Sequence, residues 1–316
     1  MFKNKMVSVV IPAHNEQKLI RKVLQSIPHW VDHIYVVDDY SLDATSEKVR
    51  ERMESDTRIQ LIRHEENQGV GAAICSGYKA SLDKQVDIAV VMAGDAQMDP
   101  ADLEGLILPI AEEGVDYTKG NRLFQGKAWE IIPRHRYIGN SILSLLTKIA
   151  SGYWHVADTQ CGYTAISTKA MQAIDLDNVY PRYGMPNDLL VKLNIADCSV
   201  RDIPVRPIYN VGEVSEIRIS RVVITISRLL LHCFFRRLVE KYVIRDFHPL
   251  VFFYTLGLIA FPAGFITGVY LFLFRIFSGP VSATSALFSA FLIISGLQFL
   301  LFAMWFDMEN NKGLKG

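Results

Sequence analysis

Short polar clusters in the first two thirds of the chain contain side chains that could bind a metal ion and an anionic ligand. In residues 94–97 (GDAQ) a carboxylate and an amide stand two residues apart, so on an extended segment both point the same way. Oxygen ligands of this kind bind Mg²⁺ or Mn²⁺, and substrate phosphates complete the shell. Asp99, which precedes Pro100, is explained at least as well by a turn at the start of a helix. The segment therefore predicts a divalent-metal site at Asp95 and Gln97.

Three further clusters are candidates for binding a nucleotide. Residues 12–16 (PAHNE) and 37–45 (VDDYSLDAT) follow apolar runs, and acids in such places can hydrogen-bond ribose hydroxyls or a base edge. An Asp followed by Ser or Thr is also a common helix cap, so both interpretations stay open. Residues 67–73 (NQGVGAA) contain a GxG pattern, but Ile74 stands at the third glycine position and the loop does not follow the first strand. The dinucleotide-binding fingerprint is therefore not met.

Two later segments offer guanidinium groups. Residues 120–122 (GNR) and 133–136 (PRHR) contain three arginines. The planar guanidinium group can donate two parallel hydrogen bonds to a phosphate. A surface ion pair explains any single one of these arginines about as well.

The apolar pattern predicts a scaffold that brings these clusters together. Residues 7–11, 34–37, 59–62 and 88–92 are typical of buried strands, and segments with helical spacing follow them, such as 16–26 and 43–53. Strands that alternate with helices predict an α/β domain with a mostly parallel sheet. Ligands bind such sheets beyond the carboxyl ends of the strands, where the polar clusters fall.

The composition excludes some classes of partner and site. The 316 residues contain 33 Lys and Arg and 33 Asp and Glu, so the formal net charge is zero, which argues against nucleic-acid binding by bulk positive charge. The four cysteines are far apart in sequence and form no CxxC pair, so neither a disulfide framework nor a zinc cluster is indicated. The apolar run near the N-terminus is about five residues long, too short for a signal peptide. We expect the N-terminal domain to stay in the cytoplasm.

The last part of the chain carries a membrane signal. Residues 250–274 and 281–306 contain no charged side chain, and each exceeds the roughly 20 residues that cross a bilayer. Two buried core helices are the alternative, but uncharged runs of this length are uncommon in soluble folds. Basic residues precede the first run and follow the second, so the positive-inside rule places both chain termini in the cytoplasm.

Residues 217–245, just before the first apolar run, have the composition of an interfacial helix. Arginines and a lysine recur there among Val, Ile, Leu and Phe, and Glu240 is the single acid. This pattern suits a helix that lies on anionic lipid headgroups. A solvated basic face on an ordinary helix is the alternative, and the adjacent spans favour the interfacial interpretation.

In this order the motifs resemble those of the family 2 inverting glycosyltransferases of GT-A fold. The resemblance rests on PAHNE, VDDYSLDAT, NQGVGAA, GDAQMDP, GNR and, at residues 158–166, DTQCGYTAI. More narrowly, the chain is similar to polyprenyl-phosphate glycosyltransferases of the dolichyl-phosphate mannosyltransferase type, over essentially its whole length. The resemblance implies a GT-A domain at 1–214, interfacial helices at 215–248, a transmembrane hairpin at 249–307 and a cytoplasmic tail at 308–316.

The resemblance also implies roles for individual residues. A GDP- or UDP-linked sugar would be bound by Pro12, Ala13, Asn15, Glu16, Val37, Asp39, Asp43, Gly71, Ala93, Asp95 and Gln97. The acceptor phosphate would meet Arg122 and either Arg134 or Arg136, and Mg²⁺ or Mn²⁺ would be held by Asp95 and Gln97. The catalytic candidates are Asp95, Arg122 and Asp188, of which Asp188 is a base, a positioning group, or a capping or ion-paired aspartate at the start of a helix. One departure is that the family's Asp-x-Asp motif would place its first carboxylate at Ala93, which leaves a single-carboxylate metal site.

The implied reaction transfers a sugar with inversion to a polyprenyl phosphate in the lipid bilayer. The acceptor oxygen needs no base, because the second pKa of a phosphate monoester is about 6. A transferase of the same fold that acts on a lipid or glycan hydroxyl, and a sugar-nucleotide-binding protein without catalysis, are the alternatives. The motifs name neither the sugar nor the base. Gly257, Gly264 and Gly268 would allow close helix packing without requiring a homo-oligomer.

Overall fold

The computed structural model describes residues 1–124, 134–206, 208 and 219–316, and for residues 134–138, 140 and 219–223 it describes the backbone alone. The chain divides into two compact units. The first comprises Met1–Phe234 and Gly313–Gly316, and the second comprises Phe235–Lys312. The predicted boundaries at residues 214, 248 and 307 stay predictions, because compactness does not define where an interfacial segment begins.

One seven-stranded sheet forms the centre of the first unit. Its strands are β1 (Val7–Ala13), β2 (His33–Asp38), β3 (Ile59–Arg63), β4 (Ile88–Val91), β5 (Tyr117–Asn121), β6 (Thr164–Ser167) and β7 (Val200–Pro204). They are ordered β3-β2-β1-β4-β6-β5-β7, and β6 runs antiparallel to both of its neighbours while the other pairs are parallel. The predicted α/β domain with a mostly parallel sheet is confirmed.

Strands β1, β2 and β4 are mostly apolar because both faces of the sheet are covered at these strands. All seven residues of β1 are buried. Val9 and Ile11 belong to the core on one face of the sheet, and Val10 belongs to the core on the other. A strand that is buried on both faces gains no stability from a polar side chain, so the alternation typical of a half-exposed strand is missing.

Helices connect the strands and cover the sheet. The first unit contains α1 (Ile20–Ser26), α2 (Thr45–Met53), α3 (Val70–Asp83), α4 (Leu103–Glu113), α5 (Arg134–Ser151), α6 (Thr168–Ala173) and α7 (Met185–Ile195), and α8 (Ile219–Val239) begins there. Two of them begin later than the helical spacing predicts, at residues 20 and 45 instead of 16 and 43. The residues in between form loops whose polar groups bond to one another.

The second unit contains two long apolar helices, α9 (Leu250–Phe277) and α10 (Ala283–Asn310). Both are long and apolar enough to cross a membrane, and little of their most apolar stretches is buried within the protein. They pack against each other through glycines. A Cβ on Gly264 would stand 2.7 Å from the backbone nitrogen of Ile293, and one on Gly296 would stand 2.4 Å from that of Phe261. The predicted pair of apolar helices is confirmed as a candidate transmembrane hairpin.

A buried polar cluster lies at one end of this hairpin, and we call it the hairpin-base cluster. It consists of Arg237, Lys241, Tyr242, Asp307 and Asn311. Arg237 donates two hydrogen bonds to Asp307, at 2.7 and 3.0 Å, and both side chains are fully buried. The Tyr242 hydroxyl donates to Asp307 (2.5 Å), and Lys241 donates to Asn311 (3.0 Å). These bonds fasten residues 237–242 to the end of α10.

Candidate active site

The loops after β1 and β2 are tied together at the carboxyl edge of the sheet. The backbone amide of Asn15 donates to the Ser41 hydroxyl (2.9 Å), and the Asn15 side-chain oxygen accepts from the amide of Leu42 (2.9 Å). Asn15 adopts a φ of 57°, a left-handed conformation that asparagine tolerates better than most residues. The two predicted nucleotide-binding clusters therefore meet, and Asn15 joins them.

Asp43 contributes a second tie between these loops. Its carboxylate accepts from the backbone amides of Gln17 (3.1 Å) and Thr45 (3.0 Å) and from the Thr45 hydroxyl (2.5 Å). Burial raises the pKa of Asp43, but the hydrogen bonds from Thr45 and Gln17 outweigh burial and hold that pKa below its ordinary value. Asp43 thus bonds the first turn of α2, and its contact with a nucleotide stays a prediction.

Asp39 is nearly fully buried and holds the loop before α3. Its carboxylate accepts from the backbone amides of Gln68 (2.9 Å) and Gly69 (2.7 Å), and Nδ1 of His64 lies 2.8 Å away. These bonds engage both carboxylate oxygens. The structure gives Asp39 a structural role in shaping the edge of the sheet, and its predicted contact with the nucleotide is untested.

Gly71 lies where the start of α3 packs closely against the backbone of residues 180–181. Its backbone amide donates to the carbonyl of Pro181 (2.8 Å). A Cβ at this position would stand 2.4 Å from the carbonyl oxygen of Tyr180, so no other residue fits without moving the backbone. This contact explains the glycine without a phosphate, and phosphate binding by residues 69–71 stays a prediction.

Pro12, Ala13 and Val37 have buried side chains at the ends of neighbouring strands. The carbonyl of Pro12 accepts from the amide of Gly94 (3.3 Å), and the carbonyl of Ala13 accepts from the amide of Asp39 (2.9 Å). These residues set the shape of the edge, because their side chains belong to the core.

The metal-side segment follows β4 and turns sharply. Asp95 accepts from the backbone amide of Gln97 (3.1 Å), and Ala96 between them has a φ of 58°. Ala93 contributes a methyl group where the family motif would supply a carboxylate. A carboxylate and an amide oxygen are hard donors, so Asp95 and Gln97 fit Mg²⁺ or Mn²⁺.

Glu16 lies beside this segment. A Cβ on Gly94 would stand 3.5 Å from Cγ of Glu16, so the Glu16 side chain packs against the backbone next to Asp95. Burial raises the pKa of Glu16 to about 7, and the nearby carboxylates of Asp95 and Asp43 add to the rise. Glu16 thus lies within electrostatic reach of two acids from two other loops, Asp95 and Asp43.

Arg122 follows β5 and is oriented by Asp158. Its Nε and Nη2 atoms donate to the two carboxylate oxygens at 2.8 and 3.1 Å, and its backbone amide donates to the same group at 3.2 Å. Burial raises the pKa of Asp158, but the hydrogen bonds and charge of Arg122 outweigh burial and hold that pKa below its ordinary value. Asp158 is 1 % exposed and Arg122 is 24 % exposed, so the guanidinium group faces outward from a buried anchor.

A pocket joins the metal side to the arginine side. It is lined by Gln97, Met98, Arg122, Cys161, Gly162, Tyr163, Val205, Arg206 and Ile208. Gln97 and Arg122 were predicted to hold the metal and to meet a phosphate, and the fold places them on one concavity. Cys161 is buried in the pocket wall, and burial raises the pKa of its thiol, which does not suit a nucleophile.

Asp188 is buried in α7 and bonds to protein groups. Its carboxylate accepts from the backbone amide of Tyr180 (2.9 Å) and from the thiol of Cys233 (3.6 Å), and Nζ of Lys192 lies 3.8 Å away. Asp188 does not line the pocket of Gln97 and Arg122. This geometry matches the capping or ion-paired alternative, and a role as base stays untested. The side chains of Arg134 and Arg136 lie outside the described residues.

Sequence reasoning missed three charged residues near the pocket. Lys119 is fully buried in β5 and donates to the carbonyl of Cys161 (2.5 Å), which supports the pocket wall. Arg206 lines the pocket and lies 3.7 Å from carboxylate oxygens of both Asp99 and Asp102. A lysine inside a buried strand is the one sequence signal that could have pointed to this network.

Asp202 in β7 is the third missed residue. One carboxylate oxygen accepts from the backbone amide of Ala157 (2.7 Å) and from the Asn121 side chain (2.9 Å). The other oxygen is buried and has no hydrogen-bond partner within the described part of the chain. Burial raises the pKa of Asp202 to about 6, although both hydrogen bonds and Lys119 oppose the rise.

The chain is similar to known glycosyltransferases. Residues 8–175 match the family model "Glycosyl transferase family 2". The chain is 30% identical over 220 residues to a UDP-N-acetylglucosamine–dolichyl-phosphate N-acetylglucosaminyltransferase of Methanococcus voltae, covering 65% of this chain and 87% of that one. It is 25% identical over 202 residues to the undecaprenyl-phosphate mannosyltransferase of Micrococcus luteus, covering 63% and 82%.

Solved structures show the same fold. Glucosyl-3-phosphoglycerate synthase from Mycobacterium tuberculosis, crystallised with Mn²⁺, UDP and glucosyl-3-phosphoglycerate, superposes with a TM-score of 0.54 at 21% identity and covers 74% of this chain and 80% of that one. The family match spans more than half of the chain and includes the three loops at the carboxyl edge of the sheet. This chain is a member of glycosyl transferase family 2.

Proposed function

We propose that this enzyme transfers a sugar from a nucleoside-diphosphate sugar to the phosphate of a membrane polyprenyl phosphate, with inversion at the anomeric carbon. The observation that carries the proposal is that Gln97 and Arg122 line the same pocket. Relatives named for dolichyl-phosphate and undecaprenyl-phosphate transfer support the acceptor class. The two long apolar helices give the chain direct access to a lipid acceptor.

The reaction needs no proton transfer. An ionised phosphate oxygen of the acceptor attacks the anomeric carbon, a carbon–oxygen bond forms, and the bond from that carbon to the nucleoside diphosphate breaks. The second pKa of a phosphate monoester is about 6, so the nucleophile is largely ionised at neutral pH. Asp188, whose carboxylate bonds to Tyr180 and Cys233, then acts as an internal support of α7.

Arg122 lowers the repulsion between two anionic substrates. Asp158 fixes the plane of its guanidinium group through two hydrogen bonds, so little side-chain entropy is lost when a phosphate arrives. Arg206 adds a second cation at the pocket. Asp95 and Gln97 would hold Mg²⁺ or Mn²⁺, which when bound neutralises charge on the departing diphosphate.

The test uses the full chain in lipid nanodiscs with Mn²⁺, a short polyprenyl phosphate and labelled GDP- and UDP-sugars. We expect label to move into the organic phase from one donor. Arg122→Gln should lower that transfer by about 100-fold, whereas Arg21→Gln, which removes an exposed arginine of α1 paired with Glu51, should leave it unchanged. Transfer to a lipid hydroxyl that is abolished by Asp188→Asn would overturn the phosphate-acceptor proposal.

A further inference from the structure

Glu16 has a fixed backbone that directs its side chain toward the metal-side segment. Its amide donates to the Thr45 hydroxyl (2.8 Å), and its carbonyl accepts from the amides of Leu19 and Ile20 (both 3.0 Å). These bonds hold the main chain of Glu16 at the start of α1. The direction of the side chain is therefore set by the fold.

The Glu16 side chain lies against Gly94, the residue that follows Ala93. Its Cγ stands 3.5 Å from the position that a Cβ on Gly94 would occupy. In the described part of the chain no donor and no cation bonds to the Glu16 carboxylate, and its charged neighbours are Asp95 and Asp43. Burial and neighbouring like charges disfavour the ionised form of such an acid, and a cation bound beside it would offset that cost.

We propose that Glu16 supplies the second carboxylate of the divalent-metal site, in the place that Ala93 leaves without one. The inference rests on the proposed function, which puts the metal at Asp95 and Gln97. A second carboxylate from another loop would give the site two acids and one amide oxygen, a donor set that Mg²⁺ and Mn²⁺ accept before substrate phosphates complete the shell. The β1 loop would then hold the metal together with the β4 loop.

The competing role for Glu16 is a hydrogen bond to the nucleotide, as the resemblance implies. The two roles separate when metal binding is measured without nucleotide. A carboxylate that meets ribose alone leaves the affinity for free Mn²⁺ unchanged, whereas a metal ligand changes it directly.

The experiment measures Mn²⁺ binding to the full chain in detergent by electron paramagnetic resonance, without nucleotide. Glu16→Gln should weaken binding by about 10- to 100-fold. Adding Ala93→Asp to Glu16→Gln should restore most of the affinity, because the lost carboxylate returns from the other loop. This rescue also shows that the first substitution did not unfold the site.

The matched control is Asp43→Asn, which removes an equal charge close to Glu16. Asp43 already accepts from Gln17 and Thr45, so we expect its substitution to change Mn²⁺ affinity by no more than about threefold. Unchanged Mn²⁺ binding in Glu16→Gln, an equal loss in Asp43→Asn, or failure of Ala93→Asp to restore binding would each overturn the proposal. If the wild-type chain binds no Mn²⁺ even with UDP or GDP present, the metal dependence in the proposed function fails as well.

Discussion

Two groups of acidic side chains in this chain have opposite surroundings. In the hairpin-base cluster, Asp307 is fully buried and accepts hydrogen bonds from Arg237 and Tyr242. At the carboxyl edge of the sheet, Glu16 is half-buried beside Asp95, and no donor bonds to it within the described ranges. Protein groups satisfy the carboxylate of Asp307, whereas in the described part of the chain none bonds to the carboxylate of Glu16.

This difference distinguishes an acid with a structural role from an acid that is available to bind a ligand. A buried carboxylate is stable when its charge and hydrogen-bonding capacity are satisfied, so Asp307 needs no further partner. Acids that repel each other lower the stability of a fold, and such unfavourable arrangements occur mainly at functional sites. Substitutions in the hairpin-base cluster and at the carboxyl edge of the sheet test this difference.

The largest expected effect is on the stability of the second unit. Arg237→Ala should lower the free energy of unfolding by about 3–5 kcal/mol, because it leaves Asp307 buried without its cation. Burial alone would lower the pKa of Arg237, but the charge and hydrogen bonds of Asp307 raise it above its ordinary value. Thermal unfolding in detergent, followed by tryptophan fluorescence, measures the loss.

The control removes both charges. Arg237→Met combined with Asp307→Leu should cost much less than Arg237→Ala, because no unpaired charge is left. An equal loss in the single and double variants would show that shape, and not charge pairing, holds the hairpin-base cluster together.

The next largest effect is on catalysis. Asp95→Ala should reduce sugar transfer by about 100-fold or more, beyond the 10- to 100-fold typical of residues that only orient a metal ligand. Its unfolding temperature should stay within a few degrees of the wild type, since the hydrogen bond from the amide of Gln97 to Asp95 lies within a single loop. Full transfer activity in Asp95→Ala would refute the metal assignment.

Strands β1, β2 and β4 could be predicted from sequence because they are almost entirely buried and mostly apolar. The meeting of the loops after β1, β2 and β4 followed from the rule for parallel sheets. The roles of single acids could not be predicted. Asp39 and Glu16 both follow strand ends, and the loop before α3 packs only against Asp39, which distinguishes this structural acid from the half-buried Glu16.

Charged residues inside the fold were the other failure of sequence reasoning. Arg237 belongs to a basic pattern that predicts a surface helix, yet it is fully buried because Asp307, seventy residues later, pairs with it. Gly257 and Gly264 suggested close helix packing in general. The structure uses both within the hairpin, where Cβ atoms would stand 2.8 and 2.7 Å from α10.

Asp202 lies between these two cases, since one of its oxygens is bonded and the other has no hydrogen-bond partner among the described residues. Its pKa rises from 3.8 to about 6, so the folded protein holds this proton more tightly than the unfolded chain does. Stability from this group is therefore present below pH 3.8 and is lost as the pH rises through about 6. Asp202→Asn keeps an oxygen that can accept from Ala157 and Asn121, and it should remove this dependence of stability on pH.

The expected difference is roughly 1–2 kcal/mol, obtained by comparing unfolding of the wild type and Asp202→Asn at pH 4.5 and pH 7. The charges that face Asp202 are Lys119 and Asp158, and both stay in the variant. If the stability of the two proteins depends on pH in the same way, ionisation of Asp202 does not destabilise the folded state.

The smallest expected effect is at Asp99, four residues after Asp95. Its side chain accepts from the backbone amide of Ala101 (2.9 Å) at the start of the turn Pro100–Asp102, as the helix-start interpretation predicted. Asp99→Ala should cost about 1 kcal/mol of stability and Asp99→Asn less, because asparagine keeps the accepting oxygen. Neither should weaken Mn²⁺ binding, since this carboxylate is already used by the backbone. A drop in Mn²⁺ affinity in Asp99→Asn equal to that in Asp95→Ala would show that Asp99 is a metal ligand and not only a cap of this turn.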